Sequence, residues 1–78
     1  MEINLIVMTV EEALHEADKF IDNGVMNGQT TLYLIHGKGT GALRKGIHEH
    51  LRRHKNVRSF RLGVYGEGEA GVTVVELK

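Results

Sequence analysis

The sequence predicts an α/β fold: a two-layer sandwich of order βαβαββ, with two helices on one face of a mixed four-stranded sheet. Three observations predict it. Two segments carry apolar residues at three- and four-residue spacing, four short runs are rich in β-branched and aliphatic residues, and the two patterns alternate until a closing pair of strands. Each strand–helix–strand passage requires a right-handed crossover, so the first three strands are expected to be parallel, and the last returns antiparallel as hairpin partner of the third. With both crossovers progressing the same way across the sheet, both helices cover one face.

The first strand is expected over Ile3 to Val7. Thr9, with Glu12 three residues on, forms a capping box: the hydroxyl takes an orphan backbone N–H and the carboxylate reaches back. Helix one starts there. Val10, Ala13, Leu14, Ala17, Ile21 and Val25 make its apolar stripe, while Glu12, Glu16, Asp18, Lys19 and Asp22 lie off it. Gly24 weakens the helix by about 1 kcal/mol relative to Ala, and Asn27-Gly28 supplies a left-handed stop. Thr31 to Ile35 lacks clean alternation, as a strand buried on both faces does. The second helix places Leu43, Ile47 and Leu51 in one row and is expected to finish near His54 to Asn56. Val57 to Val64 and Val72 to Leu77 are the last strands, joined by a loop too glycine-rich to be rigid unless something holds it.

At 78 residues the chain makes one domain, 1–78, with a single small core. It has no cysteine, which fits a reducing compartment, and no apolar run approaches the ~18 residues of a membrane span. A cytoplasmic location with no membrane partner is the expectation. Because the chain starts at strand one and stops at strand four, it reads as a domain taken from a longer protein.

A net charge of zero conceals an asymmetry. Up to His36 the charges are Glu2, Glu11, Glu12, Glu16, Asp18 and Asp22 against Lys19. From Lys38 to Arg61 they are Lys38, Arg44, Lys45, Arg52, Arg53, Lys55, Arg58 and Arg61 against Glu49. Such a field orients a polyanion against one side of the molecule; the plainer alternative is a solvated basic helix.

The basic half opens with His36-Gly37-Lys38-Gly39-Thr40-Gly41, directly between a buried strand and a helix start. Alternating glycines let backbone N–H groups crowd an anion, the helix adds its dipole, and Lys38 adds a full charge. The segment reads as a phosphate cradle. It is not a Walker A loop, and it matches the dinucleotide fingerprint only loosely, since no acidic residue ends the next strand. His36 is either a proton-transfer group beside the cradle or a satisfied polar plug at a strand end. Arg44 either grips phosphate bidentately or is solvated. Lys45, Arg52, Arg53 and Arg58 would extend the contact along a backbone.

Tyr65 is the one candidate for stacking on a base, against the plainer reading of a turn tyrosine packed on its own hairpin. His50 and His54 stand one helical turn apart, but no third ligand is evident and no metal is expected there. His54 reads as compensating the helix C-terminus, and His48 and His50 as surface or boundary residues.

With these residues assembled, the chain resembles the Smr (small MutS-related) domain family, in the version that ends the type-two bacterial MutS protein. The carrying residues are Met8-Thr9-Val10-Glu11-Glu12-Ala13-Leu14, Ile35 to Lys45 around the glycine loop, Ser59-Phe60-Arg61-Leu62-Gly63, and Gly71 to Leu77. The resemblance implies a fold like the C-terminal domain of translation initiation factor three. It implies a nucleic-acid role: endonucleolytic nicking of DNA or cleavage of RNA, or binding of branched DNA or of RNA, ribosomal RNA included. His36 and Lys38 would be the catalytic residues. Gly37, Lys38, Gly39, Thr40, Gly41, Arg44, Lys45, Arg52, Arg53, Arg58 and Asn4 would touch the nucleic acid. The parent chain would carry a MutS-like ATPase core. No cofactor is expected in the domain itself, with Mg²⁺ or Mn²⁺ the ions that cleavage would draw on.

The family commonly ends strand one with Leu-Asp-Leu, then His or Arg, then Gly. Here the segment is Ile3-Asn4-Leu5-Ile6-Val7, so Asn4 stands for the acidic residue and Ile6 for the basic one. An amide neither holds a metal nor activates water as a carboxylate does. Binding therefore carries over more directly than catalysis, and RNA, which brings its own 2′-hydroxyl nucleophile, is the easier substrate to cut.

Overall fold

The computed structural model describes residues 1–78. The elements run β1 (Glu2–Asn4), α1 (Val10–Met26), β2 (Thr31–Ile35), α2 (Ala42–Arg52), β3 (Val57–Leu62), a single 3-10 turn (Glu69–Gly71) and β4 (Val72–Leu77). The sheet order is β1-β2-β4-β3. β1 and β2 are parallel, and β4 lies between β2 and β3, antiparallel to both. The α/β sandwich is as the sequence predicts, with β4 wedged into the centre of the sheet rather than added outside β3.

The core is built by the alternate residues of the inner strands meeting the two helices. Leu32 and Leu34 of β2 and Val75 and Leu77 of β4 pack against Ala13, Ala17 and Ile21 of α1 and Ile47 and Leu51 of α2. Gly24 belongs to the buried stripe and Val25 does not: a Cβ at Gly24 would stand 3.1 Å from both Leu32 methyls and 3.3 Å from a Leu77 methyl. This glycine lets α1 settle onto the sheet, and Val25 and Val10 at the stripe's ends stay exposed.

Several element ends move inward from their predicted places, each for a local hydrogen-bonding reason. β1 stops at Asn4, not Val7, because the Asn4 side-chain carbonyl accepts the Ile6 N–H at 2.9 Å and the Met8 N–H turns back to the Leu5 carbonyl. α2 ends at Arg52 rather than near His54 to Asn56, since the Asn56 N–H donates to His54 Nδ1 at 3.1 Å and pulls the chain out of the helix. β3 ends at Leu62, not Val64, because the Gly63 N–H is shared between the carbonyls of Glu69 and Val72. The capping box at Thr9 and Glu12 forms with both hydrogen bonds present.

Candidate nucleic-acid interface

The C-terminal ends of β1, β2 and β3 share one edge of the sheet, so the loops that follow them gather there. The middle loop, from His36 to Gly41, leaves β2 beside the 3-10 turn: the N–H groups of His36 and Gly37 both donate to the Gly71 carbonyl, at 3.0 and 2.9 Å. Gly37 (φ +78°) and Gly41 (φ +87°) then take left-handed conformations that a Cβ would strain, and the chain folds into a tight arch.

Beyond Gly37 the backbone donors are unspent. The N–H groups of Lys38, Gly39, Thr40 and Gly41 have no partner in the protein, and neither have those of Leu43 and Arg44 in the first turn of α2. The Ala42 N–H alone is covered, by the Thr40 hydroxyl at 3.3 Å. Gly41, the residue before α2, offers no side-chain cap. An exposed arch of free amides at the positive end of a helix dipole is what an anion needs.

The cationic side chains are equally unspent. No ion pair in the chain involves Lys38, Arg44, Lys45, Arg52, Arg53 or Arg58. A cleft of about 590 Å³ is lined by His36 and the whole arch to Arg44 on one side and by Ile6, Met8, Thr9 and Val10 on the other. Ile6 lies against Gly37, at 3.3 Å from where a Cβ would be. A second groove of about 490 Å³ shares Thr40, Gly41 and Arg44 with the cleft and continues down α2 past Lys45, His48, Glu49 and Arg52.

The structure thus gathers His36, Gly37, Lys38, Gly39, Thr40, Gly41 and Arg44 at the cleft and Lys45 and Arg52 at the groove. Three candidates stand apart from both. Arg53 closes α2 at its far end, Arg58 lies on β3 at the bulge between Val57 and Ser59, and Asn4 spends its side-chain oxygen on the turn after β1.

His36 is not an open surface base. It is only 4% exposed, and both ring nitrogens are engaged: Nδ1 lies 3.0 Å from the Gly37 carbonyl and Nε2 lies 2.7 Å from the Thr73 hydroxyl. The same hydroxyl lies 2.7 Å from His48 Nε2. A carbonyl only accepts, so Nδ1 of His36 carries the proton. Nε2 of neutral His36 therefore accepts from Thr73, and Thr73 accepts from His48 Nε2–H. Burial holds both imidazoles below the usual histidine range, with Arg44 adding to the effect on each and the His36 and Arg52 charges on His48.

Neither Thr73 nor His48 was marked by sequence reasoning as a site residue. The available signals were a hydroxyl at an inward-facing position of β4 and the i, i+4 series Arg44, His48, Arg52. His48 also packs its ring 4.8 Å from that of Phe60.

Of the remaining histidines, His50 is a boundary residue as expected and His54 departs from expectation. His54 does not compensate the α2 terminus: its Nδ1 takes the Asn56 N–H and its Nε2 lies 3.5 Å from Asp18, which His50 approaches at 2.6 Å, so both tie α2 to α1. No group of three or more His, Asp or Glu side chains is arranged to hold a metal ion. Tyr65 is 93% exposed and does not pack on its own hairpin.

Comparison with known proteins agrees with this architecture. The Smr domain family profile matches residues 3–78. The chain belongs to the Smr domain family. This Smr domain is 50% identical over 78 residues to endonuclease MutS2 of Brevibacillus brevis, and 54% identical over 77 residues to endonuclease MutS2 of Ruminiclostridium cellulolyticum. It spans 100% and 99% of itself in these matches, and about a tenth of the length of each relative. Its fold superposes on the crystal structure of the Smr domain of Thermus thermophilus MutS2 with a TM-score of 0.97, 52% identity, and coverage of 99% and 96% of the two chains. It shares its fold with YdaL, a stand-alone small MutS-related protein from Escherichia coli, at a TM-score of 0.92 and 24% identity, over 99% of this chain and 63% of that one. No helix of the domain is long and apolar enough to cross a membrane.

Proposed function

We propose that this Smr domain binds nucleic acid by its sugar-phosphate backbone and cleaves a phosphodiester bond there, acting within a longer MutS-like chain on branched DNA or on RNA. The observation that carries the binding is the arch itself: six backbone N–H groups without partners, flanked by Lys38 and Arg44 without counter-ions. One phosphate would sit on the arch, its charge met by Lys38 and the α2 dipole, and the next would lie in the groove against Lys45 and Arg52. The name endonuclease attached to full-length relatives supports the cleavage half of the reading.

For cleavage, His36 is the proton-transfer group within the cleft, and Lys38 neutralises charge that grows on the phosphate oxygens. A hard divalent ion is held by carboxylate oxygens, and no Asp or Glu lines the cleft, so the donor set does not fit Mg²⁺ or Mn²⁺. The chemistry then falls to the chain's own groups. RNA suits them best, since its 2′-hydroxyl is a built-in nucleophile.

Cleavage of short RNA and nicking of supercoiled plasmid by the domain test the reading. The expected result is that His36→Ala abolishes cutting and leaves affinity in place; unchanged cutting would remove His36 from the reaction. A non-catalytic module that docks a larger protein onto RNA or branched DNA is favoured by one observation, Asn4 closing a turn where a carboxylate would face the edge. That reading expects salt-dependent binding and no product with any metal added.

A further inference from the structure

The cleft and the groove meet at Thr40, Gly41 and Arg44, and a chain of hydrogen bonds links a histidine that lines the one to a histidine that lines the other. His36 lines the cleft, His48 lines the groove, and the Thr73 hydroxyl, 0% exposed, bridges the two rings at 2.7 Å on each side. We propose that Thr73 and His48 form a proton relay that feeds His36 from the groove, making them positioning residues for the phosphodiester cleavage assigned above, on which this inference rests.

The relay works by exchange of tautomers. In the resting state His36 holds its proton on Nδ1 and His48 on Nε2, as the Gly37 carbonyl dictates. When a leaving oxygen in the cleft displaces the Gly37 carbonyl from His36 Nδ1–H and takes that proton, His36 Nε2 takes the Thr73 hydroxyl proton. Thr73 takes the His48 Nε2 proton, and His48 Nδ1 takes one from a water in the groove, which is left as hydroxide. The negative charge of the leaving oxygen is thus exchanged for a hydroxide released to solvent at the groove, and atoms and charge balance. Both rings end neutral in the opposite tautomer, and the reverse passage lets His36 accept a proton from a nucleophile.

This resolves a conflict within the site. A buried histidine beside Arg44 is poorly placed to carry a positive charge, and one with both nitrogens occupied is poorly placed to exchange with water. A neutral relay needs neither. The charged and titratable groups facing it are consistent with that: Arg44 and Arg52 from α2 lie toward His48, and Arg44 toward His36. Lys45 and Glu49 line the groove at its outer end. From β3 the neighbour is the uncharged Phe60 ring, and from β4 the hydroxyl of Thr73.

The test combines histidine-ring NMR of the ¹⁵N-labelled domain with cleavage rates. The wild type is expected to show His36 protonated at Nδ1 and His48 at Nε2 near pH 7.5. Thr73→Val, which keeps the shape and removes the hydroxyl, is expected to lower the cleavage rate about tenfold or more, as loss of an assisted proton transfer does, with RNA affinity unchanged. Thr73→Ser should restore most of the rate. His48→Phe, able to keep the packing on Phe60, should slow cleavage by a similar factor and add little to Thr73→Val.

Four results would overturn the relay. One is His36 protonated at Nε2 in the resting wild type. A second is Thr73→Val and His48→Phe both cutting at the wild-type rate while His36→Ala does not, which leaves the cleavage reading standing. A third is Thr73→Ser cutting no better than Thr73→Val. The last is a wild type that binds RNA and cuts nothing, which removes the cleavage reading and the relay together.

Discussion

Two glycine-rich loops meet at the same edge of the sheet and do opposite things with their charged groups. In the loop from Gly63 to Gly71 four donors hold the turn closed: Gly63 N–H on the carbonyls of Glu69 and Val72, Glu67 N–H on Val64, Gly71 N–H on Gly68, and Val64 N–H on the Glu67 carboxylate, while the N–H groups of Tyr65, Gly66, Gly68, Glu69 and Ala70 have no partner in the protein. Its charge is clasped or negative: Arg61 donates to both Glu67 oxygens at 2.8 and 3.2 Å, and the other charged group, the Glu69 carboxylate, repels an anion. In the arch from Lys38 to Gly41 neither amides nor cations have partners. Glycine content is common to both. Unpartnered amides are common to both as well, and what separates the structural turn from the binding seat is charge: the one ties an arginine to its own carboxylate, and the other leaves Lys38 and Arg44 without counter-ions.

The largest effect should come from stripping charge from the open loop. Lys38→Ala combined with Arg44→Ala is expected to weaken binding to short RNA by on the order of ten- to a hundredfold, the worth of lost charge-assisted hydrogen bonds. It should also flatten the dependence of log affinity on log salt by about 1.5. Arg61→Ala, the loss of one charge whose partner is Glu67 of the closed loop, should do neither. Fluorescence anisotropy across a salt series reads both, and equal losses in the two loops would erase the distinction.

The next effect concerns the backbones. A Cβ at Gly63 would lie 2.8 Å from the Glu67 carbonyl oxygen and 3.1 Å from the Glu69 nitrogen, so Gly63→Ala must displace main chain, at a cost of roughly 1 to 3 kcal/mol. At Gly39 nothing lies within 4 Å, and Gly39→Ala pays only for its φ of +23°, about 1 kcal/mol. Chemical denaturation should therefore rank Gly63→Ala as the more damaging, while binding should rank Gly39→Ala first.

pH separates the loops again. Burial holds His36 and His48 below the ordinary histidine value, so the unfolded chain binds more protons than the folded one as acid is added. Their contribution is complete above pH 6.5 and is lost as pH falls toward their folded values. Thermal unfolding from pH 8 to pH 5 should show the loss, and Thr73→Val should alter it. Glu67 is held down to about 2, first by the Arg61 hydrogen bond and then by the Val64 N–H, so the closed loop keeps its clasp until far more acid conditions. The smallest expected effect is that of Glu67→Gln: faster amide exchange at Val64, with nucleic-acid affinity unchanged.

The sequence made the arch legible because its cues are local. Alternating glycines, a lysine between them and a helix beginning at once need no tertiary information, and α1 was legible through its capping box and its period. The relay was hidden because Thr73 stands 37 residues from His36 and meets it only once β4 enters the sheet beside β2, an insertion that strand order in the chain does not reveal. Gly24 misled for a related reason: helix propensity counts it as a weakness, whereas the approach of Leu32 and Leu77 makes its missing side chain a requirement. Asn4 and Ile6 were visible as departures from the family pattern, yet only the turn at Ile6 N–H shows that Asn4 is engaged in ending a strand.

The central claim is that the amides of the arch are the seat of a phosphate backbone, and amide NMR during titration with a short single-stranded RNA tests it most directly. The expected result is saturable shifts at Lys38, Gly39, Thr40, Gly41, Leu43 and Arg44, extending to Lys45 and Arg52, with Gly63 to Gly71 little changed. Shifts confined to the loop from Gly63 to Gly71, or an arch that stays silent while RNA binds, would contradict it.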